Sequence, residues 1–224
     1  MNEKLVHPDF EFQISLEDNA TLLIIENPDA LRRYTLELQS QTMGGEGRFV
    51  LSDSKGILEI KDRVAVIIDP LNIDPSNKKV MSRIQSQIKE MIVSDEHYLQ
   101  AVELLSNIER FTQSIEADYK LSLTHEPVDI GDLHKILNMT LQVDYENEIE
   151  RVMEAMNVLH DVCNIDIFVL FSIFSFFNEN DISTLIRESL SLKHNIIFME
   201  GREPLFECNE LKKVIIDKDL CQIF

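Results

Sequence analysis

Apolar and polar positions divide the chain into α/β portions at both ends and a helical portion between them. Residues 10–16 (FEFQISL) alternate apolar and polar, which predicts a half-buried strand, and residues 21–25 (TLLII) form a short apolar run. The following segment, ENPDALRRYTLELQSQ, predicts a helix with Asn27 as its N-cap. RFVLSD and GILEI then predict a hairpin of two short strands.

Residues 64–69 (VAVIID) form an apolar run ending in an acid, which predicts a buried central strand. Beyond it, apolar residues recur every three or four positions, as in long amphipathic helices. These positions are Ile84, Ile88 and Ile92, then Val102, Leu105, Ile108, Phe111 and Ile115. The polar tetrapeptide SDEH separates the two helices, and DIGDLHKILNM and NEIERVMEAMNVLHDV predict two more.

The last part of the chain again predicts both strands and a helix. The strands are IDIFVLFS, NIIFME and KVIID, and the capped helix is NDISTLIRESLSL. Paired helices inserted between two α/β portions predict a compact α/β head and a helical leg. We place the head at residues 1–75 and 160–224 and the leg at residues 76–159.

Composition limits the size of the core and the cellular compartment in which the protein is expected. A chain of 224 residues that is 44% hydrophobic can bury one substantial core plus a helical appendage. No apolar run is long enough to span a bilayer, and the amino end does not have the pattern of a signal peptide. The three cysteines include no C-x-x-C pair, so we expect a reducing compartment and a cytoplasmic protein.

The segment QTMGGEGRFV, residues 41–50, holds three of the six glycines and invites comparison with a phosphate-binding loop. It lacks the lysine and hydroxyl of a Walker A motif, and it precedes a strand rather than a helix. Glycines that let the chain turn after a helix are the simpler interpretation. Asp69 has the position of a Walker B acid, but it is equally a strand exit.

The net charge of −19 argues against nucleic acid unless the basic residues are segregated, and they are. Residues 75–89 (PSNKKVMSRIQSQIK) carry four basic side chains and no acid, whereas residues 90–118 carry seven acids and one base. We predict DNA contacts first at Lys78, Lys79 and Arg83, since positions 79 and 83 share one helix face. Weaker candidates are Arg32, Arg33, Arg48, Lys55 and Lys61. A solvated helix face is the alternative.

Acidic residues cluster where the long helix gives way to the next one. Five carboxylates lie within seventeen residues: Glu116, Asp118, Glu126, Asp129 and Asp132. Converging carboxylates suit calcium, which takes six to eight oxygen ligands, although the spacing is not that of an EF-hand. Solvated helix caps are the simpler interpretation of the residues alone.

Two stretches, IIDPLNIDPSNKKVMSRIQSQIKEM and VLHDVCNIDIFVLFSIFSFFNENDISTLIRESLSLKHNIIFMEGREP, carry a family resemblance. Their order of strands, turns and helices resembles the Csn-two family, the adaptation accessory protein of type II-A CRISPR systems. The resemblance implies a head related to P-loop ATPases with a degenerate nucleotide site, plus a helical leg. It also implies a homotetrameric ring that encircles double-stranded DNA and loads at free ends.

The same resemblance implies that calcium stabilises the ring near the head–leg junction, a region that includes the five carboxylates above. It further implies a non-catalytic protein that works with the CRISPR integrase and the Cas nuclease in acquiring new spacers. Two other functions stay open at this point. One is a P-loop-like nucleotide hydrolase, and the other is an acidic protein-interaction scaffold that binds no DNA.

Overall fold

The computed structural model describes residues 3–16, 20–123, 126–137 and 139–223. The chain divides into two compact units: unit 1 comprises Met1–Pro75 and Val143–Phe224, and unit 2 comprises Ser76–Gln142. Residues 143–159, which the sequence pattern placed in the helical leg, therefore belong to unit 1. An apolar helix face shows that the helix is buried, but the face does not show which part of the chain covers it.

Unit 1 contains a six-stranded sheet in the order β10-β9-β3-β8-β7-β6. All neighbouring strands in it are parallel except the pair formed by β10 and β9. Its strands are β3 (Ala20–Ile25), β6 (Val64–Ile67), β7 (Ile167–Phe171), β8 (Asn195–Glu200), β9 (Leu211–Ile216) and β10 (Gln222–Ile223). Every residue of β3 and β7 is buried, as expected of parallel strands covered on both faces.

Strand β6 was predicted to be central, and that prediction is wrong. It pairs with β7 alone and forms one edge of the sheet, with Ala65 and Val66 only partly buried. An apolar run predicts a buried strand, but strand order depends on crossovers that a local pattern does not encode.

A smaller antiparallel sheet in unit 1 has the order β2-β1-β4-β5. Its strands are β1 (Lys4–Val6), β2 (Ile14–Ser15), β4 (Val50–Ser52) and β5 (Ile57–Leu58). The predicted β4–β5 hairpin is confirmed, and Gly56 closes its turn at a φ of +149°. The strand predicted over residues 10–16 is present only at Ile14–Ser15, because Phe10 and Phe12 instead stack in an aromatic cluster.

In its described residues, unit 1 has the α-helices α1 (Pro28–Thr42), α2 (Ile60–Arg63), α5 (Glu148–Cys163) and α6 (Glu179–Ser191). A short 3-10 turn, Ile173–Ser175, follows β7. Asparagine side chains cap three of these helices by accepting backbone N–H groups, and the predicted cap at Asn27 is confirmed. None of the three cysteines, all of which the structure describes, forms a disulfide bond.

Unit 2 contains α3 (Lys78–Ile92), α4 (Tyr98–Asp118) and a 3-10 helix, Ile130–Leu137. The two long helices were predicted, whereas the third segment was expected to be α-helical and is 3-10. The apolar residues of α4 are poorly covered: it buries Ala101, while Phe111 is 66% exposed. Within the described residues, no helix has both the length and the apolar character needed to cross a membrane.

Candidate nucleic-acid interface

The glycine segment is the turn that ends α1. The backbone N–H groups of Gly44 and Gly45 donate to the carbonyls of Gln41 and Ser40, at 3.0 and 2.9 Å. Gly44 has a φ of +82°, a conformation that favours glycine. These N–H groups satisfy the last carbonyls of the helix and so are already used.

Gly47 lets the chain pass closely over Gln41. A Cβ atom at Gly47 would lie 2.5 Å from the Gln41 side chain. The Gln41 amide in turn bonds both backbone groups of Phe49, at 2.9 and 3.1 Å. These two hydrogen bonds fix the backbone of Phe49 just before β4 and so set the direction of Arg48, its neighbour in the chain.

Arg48 points into a cluster of unit 1 rather than freely into solvent. Its two terminal nitrogens donate to the two carboxylate oxygens of Asp9, at 3.0 and 3.1 Å. Its backbone N–H donates to Glu37 at 2.5 Å, and its Nε lies 3.3 Å from the same oxygen. Beneath them, the buried His7 ring lies 3.4 Å from Glu37.

The charge state of this cluster follows from its contacts. Burial raises the pKa of Glu37, but the hydrogen bond from the Arg48 backbone and the neighbouring His7 outweigh it, so the pKa is lowered. Burial lowers the pKa of His7, and the Glu37 carboxylate offsets this only partly. Glu37 is therefore an ionised acceptor that holds two basic groups in place.

We expect Glu37→Ala to lower the free energy of unfolding by about 2 kcal/mol, because it leaves the Arg48 backbone N–H and the His7 ring without their acceptor. Urea unfolding at pH 7 measures this change. Glu46→Ala, at an exposed position of the same glycine segment, is the matched control and should change stability little. Equal effects of the two substitutions would contradict the role assigned to Glu37.

The carboxyl end of β3 is where an open α/β sheet would place a phosphate loop. Only Glu26 and Asn27 separate β3 from α1. The Asn27 side chain accepts the N–H groups of Asp29 and Ala30, so a ligand would have to displace this cap. Asp69 accepts hydrogen bonds from Leu71 N and Asn72 Nδ2 and thus stabilises the turn after β6.

The three leading DNA-contact candidates begin α3. Asn77 caps this helix through the N–H groups of Lys79 and Val80. Lys78, Lys79 and Arg83 are all exposed, and the first turn contains no acid. Among the described residues, Lys78 and Arg83 have no hydrogen-bond or ion-pair partner, whereas Lys79 takes part in an interaction within the chain. The positive end of the helix dipole adds to their charge.

The weaker candidates lie in unit 1, and most have partners there. Arg32 pairs with Asp29 at 2.7 Å, and Arg33 pairs with Asp9 at 3.2 Å. Lys55 is exposed at the tip of the β4–β5 hairpin, and Lys61 lies in α2 with an interaction of its own. Arg48 is held by Asp9, so among the leading candidates the side chains without an ion pair in the described part of the chain are those of Lys78 and Arg83 at the start of α3.

The structure does not assemble the five carboxylates predicted to bind calcium. Glu116 and Asp118 lie in the last turn of α4, and Glu126 is exposed outside any helix. Asp129 and Asp132 come together, but on Lys89, whose Nζ lies 2.7 and 3.6 Å from them. Lys135 also pairs with Asp132 at 2.7 Å.

The residues as arranged therefore do not fit a calcium ion. Among the residues that the structure describes, no three His, Cys, Asp or Glu side chains converge on a point where they could hold a metal. The hydrogen bond from Lys89 lowers the pKa of Asp129, as expected for a carboxylate paired with an ammonium group rather than awaiting a cation. Calcium stays a prediction.

Calcium at Asp129 and Asp132 would have to displace the ammonium group of Lys89. If it binds there, we expect Lys89→Met to tighten Ca²⁺ binding by about threefold, the equivalent of one exposed ion pair. Isothermal titration with CaCl₂ measures this. Lys120→Met, which removes an exposed charge without an ion pair in the described structure, is the control. An unchanged affinity in Lys89→Met would exclude these two carboxylates as calcium ligands.

Comparison with known proteins identifies the class of protein first. The family model described as "CRISPR-associated protein (Cas_Csn2)" matches residues 41–220, which is most of the chain. The protein is therefore a CRISPR-associated protein. It belongs to the Cas_Csn2 family, which confirms the resemblance predicted from the sequence.

Other comparisons add little. A search of curated proteins found no match. A solved structure of a putative ABC transporter (ATP-binding protein) from Pyrococcus furiosus is similar over 95% of this chain and 97% of its own. It is 10% identical, with a TM-score of 0.39, a level at which the likeness does not establish a shared fold.

Proposed function

We propose that this chain is a non-catalytic protein of CRISPR adaptation that binds linear double-stranded DNA as a homotetrameric ring, in the cytoplasm. The observation that carries the DNA-binding proposal is the exposed basic start of α3, where Lys78 and Arg83 have no partner among the described residues. Family membership supports the link to CRISPR. Integrase and Cas nuclease proteins are its proposed partners in spacer acquisition.

Segregated charge explains how a chain of net charge −19 could bind a polyanion. Lysine and arginine side chains at a helix start contact phosphates and release counterions, which gives affinity without base recognition. In a ring, copies of this basic segment would line the hole, and the acidic remainder would keep nonspecific DNA from other surfaces. The proposed binding is thus independent of sequence and sensitive to salt.

We further propose that unit 1 is a P-loop-ATPase-like head that has lost its nucleotide site. The parallel order β3-β8-β7-β6, with a helix directly after β3, supports a nucleotide-binding ancestry. The two-residue turn between β3 and α1, which includes Glu26, leaves no room for a loop that wraps phosphates. An assay of ATP turnover with magnesium should show none, and real turnover would contradict this proposal.

The central experiment compares DNA forms of the same sequence. A closed ring can be threaded by a linear duplex but not by a closed circle. In gel-shift assays at low salt, the protein should therefore retard the linear form alone. Capping both ends of the linear duplex with streptavidin before adding protein should prevent binding. Capping after binding should slow dissociation. Equal affinity for the linear and circular forms would refute the ring, and light scattering would test the tetrameric mass independently.

A further inference from the structure

Unit 1 contains a cavity of about 730 Å³ where three of its parallel strands begin. The lining includes Arg63 just before β6, Asp166 just before β7 and His194 just before β8. His160, in the last turn of α5, lines the cavity as well. The fold therefore brings two histidines from distant parts of the chain to the amino end of the sheet, opposite the edge where a phosphate loop would lie.

The two histidine rings lie close together at this end of the sheet. The carbonyl oxygen of Asp166 accepts the backbone N–H of Asn195 at 2.9 Å, which ties the segment before β7 to the segment before β8. The ring centroids of His160 and His194 are 4.8 Å apart, and the ring planes are inclined by 53°. Two imidazoles bound to one tetrahedral zinc ion have centroids about 5 Å apart, since each Zn–N bond is about 2.0–2.1 Å long.

The contacts of His160 leave one ring nitrogen available to a metal. Its Nδ1 lies 3.1 Å from the carbonyl oxygen of Ile165 and 3.1 Å from the carboxylate of Asp166. A carbonyl only accepts, so Nδ1 carries the proton and Nε2 keeps its lone pair. Among the described residues, Nε2 has no hydrogen-bond partner. Histidines that bind metals are commonly held in this way, with the second ring nitrogen donating to a carboxylate or a backbone carbonyl.

His194 is buried without a hydrogen bond to its ring. It is 3% exposed, and among the described residues neither ring nitrogen has a hydrogen-bond partner. Burial lowers its pKa, and the neighbouring His160 lowers it further, so the ring is neutral at pH 7, the form that binds metals. A buried polar group without a partner is costly, and a metal ion at its lone pair removes that cost.

The charges that line the cavity do not oppose a cation. The guanidinium group of Arg63 pairs with Glu3 at 2.8 Å and also with Asp166, so its charge is already balanced. Lys193 is exposed, and its charge is therefore screened by solvent. The Asp166 carboxylate also favours positive charge at His194.

We propose that His160 and His194 together bind a zinc ion, each through one ring nitrogen. Imidazole nitrogens suit zinc, whereas calcium and magnesium prefer oxygen ligands. In the described part of the chain, no third His, Cys, Asp or Glu side chain joins the pair, so water or a ligand from outside completes the coordination. The site is separate from the DNA contacts and the calcium ligands discussed above and does not depend on either.

Isothermal titration of the untagged full chain with ZnCl₂ tests the site, and one ion per chain should bind. His160→Asn removes Nε2 but keeps an N–H donor near the Ile165 carbonyl, and His194→Phe keeps an aromatic ring beside Phe168. Each variant should weaken binding by at least about tenfold, the smallest loss expected when even an outer partner of a metal ligand is removed. His97→Asn, at a half-buried histidine in unit 2, is the matched control and should bind as the wild type does.

Nitrogen NMR of the histidine rings in the wild-type protein gives a readout that does not depend on the folding of any variant. ZnCl₂ should shift Nε2 of His160 and one ring nitrogen of His194, and CaCl₂ should shift neither. Absence of zinc binding, or binding that leaves both rings unshifted, would overturn the proposal. Full affinity in either His160→Asn or His194→Phe would also overturn it, because the two rings would then not share the ion.

Discussion

Glu200→Gln should raise the free energy of unfolding at pH 8 by about 3 kcal/mol and leave it nearly unchanged at pH 4. Glu200 ends β8 and is 5% exposed. One carboxylate oxygen accepts the backbone N–H of Phe174 at 3.3 Å. The Phe174 ring in turn packs against the rings of Phe198 and Phe206.

The direction of the pH effect follows from the raised pKa. Burial raises the pKa of Glu200 from 4.5 to about 7, and hydrogen bonds from Phe174 and Ile173 offset burial only partly. The protonated side chain is the form that suits this site, so its stability is fully present below pH 4.5. It is lost progressively as pH rises from there through about 7, because the folded state must then ionise a buried group.

Glutamine keeps a carbonyl oxygen for the Phe174 N–H and carries no charge at any pH, so it should remove the loss. Urea unfolding of the two proteins at one-unit steps from pH 4 to pH 8 measures the difference. Glu207→Gln, at an exposed position, is the control and should run parallel to the wild type. A Glu200→Gln effect that is the same at pH 4 and pH 8 would show that ionisation is not the cause.

Local features of the fold were predictable, and those that depend on distant partners were not. Asn27 and α1 followed from a cap and a 3.6-residue period within sixteen neighbouring residues. The edge position of β6 did not, because it depends on which strands lie beside it. The order of strands follows from crossovers between distant segments, whereas periodicity describes one segment at a time.

The basic residues show the same limit within the candidate site. Arg48 and Lys78 were both plausible phosphate contacts, since each is a basic residue beside a turn. Arg48 turns out to be held by Asp9, thirty-nine positions earlier in the chain. A local sequence pattern cannot predict an ion pair between residues so far apart in the chain. The proximity of His160 and His194 was missed for the same reason, because it also depends on distant segments. The acid-free composition of residues 75–89, by contrast, is a local signal, and the segment includes Lys78 and Arg83, whose side chains have no ion pair among the described residues.

The double variant Lys78→Glu/Arg83→Glu should weaken binding to linear duplex by about 100-fold at 0.1 M salt, since each phosphate contact contributes about one factor of ten under these conditions. Lys79 is left unchanged because it takes part in an interaction within the chain, so its reversal would change more than a phosphate contact. Lys78 and Arg83 have no partner in the described structure, and their reversal should cost little stability.

The matched control is Arg110→Glu/Lys120→Glu. It makes the same change in net charge in the same unit, at exposed positions with no ion pair among the described residues. If net charge alone governed affinity, the two double variants would weaken binding equally. If the start of α3 contacts phosphates, Lys78→Glu/Arg83→Glu should also reduce the slope of log affinity against log salt by about two, whereas the control should leave it nearly unchanged. Fluorescence anisotropy titrations over a range of salt concentrations give both quantities, and an unaltered slope in Lys78→Glu/Arg83→Glu would rule out these contacts.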